Sequence, residues 1–110
     1  MIQESYKTFE GVPVELDWTV SVAGMWYAAM LKFDTAPTTA GDVQVIFKSG
    51  NGSDYDTILL TKDANGETDL FLAPTLEVPI NNGDKITVAY ANPDDRTIAV
   101  TIKGTNSSRY

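Results

Sequence analysis

From Val12 onward the chain alternates. Val12, Val14, Leu16, Trp18 and Val20 are apolar, and Pro13, Glu15, Asp17 and Thr19 separate them. A period of two places the apolar set on one face of a pleated strand. Pro13 cannot donate to a ladder, so this strand begins there or lies at a sheet edge. The same rhythm returns at Val43, Val45 and Phe47, at Ile86, Val88 and Tyr90, and at Ile98, Val100 and Ile102. Shorter runs at Tyr55–Thr61, Asp69–Ala73 and Leu76–Ile80 predict further strands.

Met25–Phe33 is apolar on both parities. A strand covered on both faces reads this way, and so does a short buried helix. The length and the neighbouring strands favour a strand. On that reading Met25, Tyr27, Ala29, Leu31 and Phe33 face the core, and Trp26, Ala28 and Met30 form the less buried side. Residues 1–10 are mixed and polar, with Tyr6 and Phe9 as isolated aromatics, and read as an N-terminal arm or a first edge strand. Residues 105–110 form a polar tail.

Turn chemistry separates the runs. Asp34–Gly41 is a loop by its Pro, Gly and small polar residues, and Ser49–Ser53, Asp63–Gly66, Asn81–Asp84 and Asn92–Asp95 have the residues tight turns select. Strands with turns every 8–12 residues suggest a sandwich or small barrel. The expected architecture is one all-β domain over residues 1–110, an antiparallel β-sandwich of seven to eight strands, jelly-roll-like. Composition agrees, since the chain is rich in Val, Ile and Thr and carries 10% aromatic residues.

Charge and missing residue types narrow the chemistry. Cysteine and histidine are absent. That removes disulfides, thiolate metal sites, cysteine nucleophiles and histidine-dependent triads. Fifteen acidic residues against eight basic ones give a net charge of −7. Neither nucleic acid nor an anionic membrane is an expected partner. No apolar run approaches the roughly 20 residues of a transmembrane helix. Met1–Lys7 lacks a signal-peptide pattern, so synthesis in the cytoplasm is expected.

Three constellations could carry function. Asp63-Ala64-Asn65-Gly66-Glu67-Thr68-Asp69 presents oxygens at alternate positions, as calcium prefers, yet the same residues are those of a hairpin turn. Paired carboxylates could serve glycoside hydrolysis, but Asp17, Asp54, Asp56 and Glu67 have no distinguishing context. Trp18, Trp26, Tyr27, Tyr55 and Tyr90 could form a platform for sugar rings. Trp18 and Tyr90 share parity with aliphatic neighbours and belong in the core, which leaves Trp26 as the exposed candidate. No nucleophile elbow or phosphate-binding loop is present. No catalytic, cofactor or metal residues are assigned, and the chain is expected not to be an enzyme.

Asn82-Gly83-Asp84, the strand Lys85–Tyr90, Ala91-Asn92-Pro93-Asp94-Asp95 and the strand from Thr97 follow one another. With Phe33–Thr39 leading into Val43-Gln44-Val45, and the Tyr55-Asp56 pair, this resembles small β-sandwich structural proteins of tailed bacteriophages. The resemblance implies a virion component, either a head decoration or cement protein or a minor tail or connector protein. It implies work by subunit contact, partnership with other virion proteins, and homo-oligomers. The expected interface residues are Tyr6, Phe9, Trp26 and Met30. The alternative is a carbohydrate-binding module for surface glycans, and a calcium-stabilised adhesin-like domain is a third reading.

Overall fold

A computed structural model describes residues 2–19 and 23–106. Among the described residues nine strands follow in order: β1 (Ile2–Glu10), β2 (Val14–Thr19), β3 (Gly24–Phe33), β4 (Asp42–Lys48), β5 (Thr57–Asp63), β6 (Asp69–Leu72), β7 (Val78–Ile80), β8 (Lys85–Tyr90) and β9 (Thr97–Asn106). They form two antiparallel sheets. One has the order β1-β9-β3-β6, with β7 also on β3, and the other has the order β2-β8-β4-β5.

The winding is that of a folded-over hairpin. Strand β4 pairs with β5, β3 with β6 and β7, β2 with β8, and β1 with β9. Successive rungs fall alternately in the two sheets, which is the jelly-roll arrangement. The sequence predicted seven or eight strands. The ninth is β1, which the arm reading of residues 1–10 leaves uncounted, while the run around Leu76–Ile80 contributes only Val78–Ile80, which docks on β3.

The core lies between the sheets. Val14, Leu16 and Trp18 of β2 alternate with exposed Glu15, Asp17 and Thr19, as period two requires. Val43 and Val45, Ile86 and Val88, and Ile98, Val100 and Ile102 fill the same space. Phe33 and Tyr90 meet edge to face, with centroids 5.9 Å apart. Gly104 permits a close approach, because a Cβ there would lie 2.6 Å from the Met25 carbonyl oxygen and overlap the Trp18 indole. Gly66 closes the β5–β6 turn with φ +81°, a conformation that favours glycine.

Several expectations are corrected. Residues 2–10 take the edge-strand alternative, not the arm. They pair with β9 along their length, from Ile2 with Thr105 to Glu10 with Thr97, as an edge strand. Tyr55 belongs to a single 3₁₀ turn, Ser53–Tyr55, and β5 starts only at Thr57. Val12 precedes β2 and is exposed, as is Leu76 before β7. The predicted tail begins inside β9, and residues 107–110 and Val20 lie outside the described residues.

The largest correction concerns β3. Its register against β9 shifts between Trp26 and Ala28, where a bulge inserts one residue. Before the bulge the even positions Gly24 and Trp26 face inward, and after it the odd positions Ala29, Leu31 and Phe33 do. Trp26 is therefore fully buried, at 0% exposure, with its indole N–H donated to the Ala28 carbonyl at 2.8 Å. It cannot reach a neighbouring subunit. Phe9 is also in the core, beside Ile98 in register, with Lys7 Nζ 5.1 Å from its ring centroid.

Candidate functional site

Strand pairing gathers residues that the sequence keeps far apart. On the outer face of the five-stranded sheet, Tyr6 is the register partner of Thr101, Thr101 of Met30, and Met30 of Phe71. The four positions form one row across β1, β9, β3 and β6. Three strand spacings make it roughly 14 Å long. Tyr6 is 64% exposed and Phe71 65%, with Thr101 and Met30 half-buried between them. The flanking core residues, such as Leu70 and Leu72 beside Phe71, point the other way.

The rows on either side carry charges that cancel. Above lie Glu4, Lys103 and Ala28, and below lie Thr8, Ala99, Lys32 and Asp69. Lys103 Nζ is 3.5 Å from Glu4 Oε1, and Lys32 Nζ is 3.3 Å from Asp69 Oδ1. Both pairs are solvent-exposed, so each adds little stability. Their effect is to rim an apolar strip with polar groups, the anatomy of a contact surface. Tyr6 and Thr8 share a hydrogen bond at 3.3 Å on this face.

Of the four interface candidates, the fold brings Tyr6 and Met30 together and buries Phe9 and Trp26. Phe71 was missed. Its signal was present, because it sits between Leu70 and Leu72 in a four-residue strand and must take the opposite face.

The outer face of the four-stranded sheet is built differently. Thr87 is buried at its centre and donates its hydroxyl to Asp17 Oδ1 at 2.6 Å, while Lys85 Nζ lies 3.3 Å from Asp17 Oδ2. Partial burial pushes the Asp17 carboxyl up, but the Thr87 and Lys85 hydrogen bonds and the Lys85 and Lys48 charges outweigh it and hold Asp17 below the usual range. Glu15 and Gln44 flank the small Ala89 in register. They border an open depression of about 560 Å³ that Pro13, Asp42 and Tyr90 also line. Tyr90 belongs to the core cluster, so its ring offers no stacking platform.

Two further carboxylates serve as staples. Asp94 accepts the backbone N–H of Thr38 at 2.8 Å and of Thr39 at 2.9 Å, and the Thr39 hydroxyl at 2.7 Å. These bonds lower its pKa and pin the Asp34–Gly41 loop to the β8–β9 turn. Asp63, from the calcium-like segment, accepts the N–H of Asn65 and Gly41, which lower its pKa. Its Oδ1 thereby ties the β5–β6 turn to Gly41 ahead of β4. Among the described residues no three acidic groups assemble as a metal site, and no helix is long and apolar enough to cross a membrane.

The class these features define is an all-β jelly-roll sandwich with an apolar row on one outer face. No protein-family model matches the chain, and no curated protein matches it.

Proposed function

We propose that this chain is a non-enzymatic structural protein that works by contact with neighbouring subunits, in a bacteriophage particle. The observation that carries the contact reading is the Tyr6–Thr101–Met30–Phe71 row between two balanced ion pairs. Exposed aromatic rings at the two ends of a row that holds a flexible Met, with charge on its rim, are residue types that binding surfaces use. The virion part rests on the resemblance of the strand and turn segments around Phe33–Val45 and Asn82–Ile98. Jelly rolls recur in viral capsid proteins, and also in lectins, so the fold alone does not choose between them.

Magnitudes favour contact of moderate strength. Covering the exposed parts of the Tyr6 and Phe71 rings removes roughly 250 Å² from water, worth about 6 kcal/mol at ~25 cal/mol per Å². Association costs are of the same order. A single such face gives a weak contact that an assembly of many copies reinforces. The glycan alternative draws on the depression beside Glu15, Asp42 and Gln44, whose hydrogen-bonding groups lack an exposed ring.

The test is incorporation. Particles are purified from a host producing either the parent chain or Phe71→Glu, and their proteins are quantified by mass spectrometry. The parent chain enters particles, while the variant stays in the soluble fraction with an unchanged circular-dichroism melt. Absence of the parent chain from particles, or equal incorporation of the variant, contradicts the proposal.

A further inference from the structure

We infer that the apolar row docks a second copy of the same chain, face to face. This rests on the contact reading above and names its partner. The first support is electrostatic. The four charges beside the row, Glu4, Lys103, Lys32 and Asp69, sum to zero, so the whole net charge of −7 lies elsewhere on the molecule. Two copies meet less repulsion over this balanced patch than over the average of the acidic surface around it.

The second support is self-complementarity. A two-fold axis along the row exchanges the rows above and below it. Glu4 of one copy then faces Thr8 of the other, Lys103 faces Ala99, and Lys32 faces Ala28. Glu4, Lys103 and Lys32 each lie over a small neutral residue, and Met30 and Phe71 each meet their own equivalents. An isologous contact requires this sort of match. The operation also keeps the strands of the two sheets aligned, the common geometry for stacked sheets.

The third consideration is area. Four strands about 4.8 Å apart and some seven residues tall give roughly 450 Å² per copy. A standard interface buries about 800 Å² per partner. The dimer is therefore weak in dilute solution. Because the bodies carry like charge, added salt tightens it.

The chain has no cysteine, so single-cysteine variants report the axis directly. Sedimentation velocity of the parent chain shows a concentration-dependent monomer–dimer equilibrium that shifts to dimer with salt. Phe71→Glu weakens that dimer roughly tenfold or more. A short bis-maleimide, which spans sheets stacked about 10 Å apart where a disulfide does not, links two copies of Met30→Cys far faster than two copies of Ile58→Cys, which is exposed on β5 of the other sheet. Thr101→Cys, also on the axis, repeats the measurement should Met30→Cys fold poorly. A parent chain that stays monomeric at every concentration overturns the second-copy inference, as do equal cross-linking rates at positions 30 and 58. If Phe71→Glu still abolishes particle incorporation in that case, the row serves a different virion protein. If incorporation is also unaffected, the contact reading itself fails.

Discussion

The two sheets face the core in the same manner and face water in opposite ways. Inside, both present alternating aliphatic residues. Outside, the four-stranded sheet satisfies its polar groups locally, with Thr87, Asp17 and Lys85 bonded to one another. The five-stranded sheet leaves Tyr6 and Phe71 exposed on either side of Thr101 and Met30. The four-stranded face leaves one aliphatic side chain, Ile58, exposed at its β5 edge, whereas the five-stranded face exposes two aromatic rings. The contact reading rests on that difference in outward positions rather than on the fold.

The strongest way to break this contrast is to remove what decides which side of β3 faces out. Trp26→Ala empties the core beneath the bulge, and a loss of about 3–5 kcal/mol is expected in denaturant unfolding. A loss under 1 kcal/mol would mean that the bulge does not place this side chain as described. Gly104→Ala forces a methyl against the Trp18 ring and the Met25 carbonyl, with an expected cost of about 1–3 kcal/mol in the same measurement.

Acid sharpens the polar side. Asp17, Asp63 and Asp94 all have pKa values lowered in the folded state. Their contribution is complete above the unfolded carboxylate value of about 3.9 and is lost as pH falls through the lower folded values. Tyr90 is raised by burial and by nearby Asp94 and Asp63, against a smaller lowering from Arg96, so its contribution is lost as pH rises past about 10. Thermal melts should hold a plateau between these limits. Thr87→Val, which takes the hydroxyl from the part-exposed Asp17, should cost about 1 kcal/mol at neutral pH and less once Asp17 is protonated. An equal cost at pH 2 and pH 7 would detach that hydroxyl from the Asp17 charge.

The smallest stability effects separate the faces most sharply. Phe71→Glu and Gln44→Ala are both surface changes, expected within about 0.5 kcal/mol of the parent in chemical denaturation. Only Phe71→Glu should weaken association by sedimentation. If only Gln44→Ala does, the assignment of faces is reversed, and if both do, the contrast between the faces fails.

How far the sequence discloses this molecule follows from locality. Strands β2, β4, β8 and β9 are legible because side-chain direction on a strand is a local, period-two property. The bulge in β3 is not, because no Gly or Pro marks it, and one inserted residue reverses the parity of everything before it. That single shift moved Trp26 from the outer face to the core. Phe9 had no alternating neighbours to declare its side, and only pairing with Ile98 fixes it. The row itself is non-local. Tyr6, Met30, Phe71 and Thr101 come from four separate segments, and nothing in the sequence states which strands become neighbours. Two of the four were recognised from residue type, and pairing supplied the others.

The central claim is that contact runs through the outer face of the five-stranded sheet. A dilution series followed by amide chemical shifts in two-dimensional NMR tests it residue by residue. Shifts that depend on concentration at Tyr6, Met30, Phe71 and Thr101, with Glu15, Gln44 and Ala89 silent, are the expected result. Shifts centred on the four-stranded sheet, or none anywhere up to the solubility limit with Met30→Cys also failing to cross-link, would contradict it.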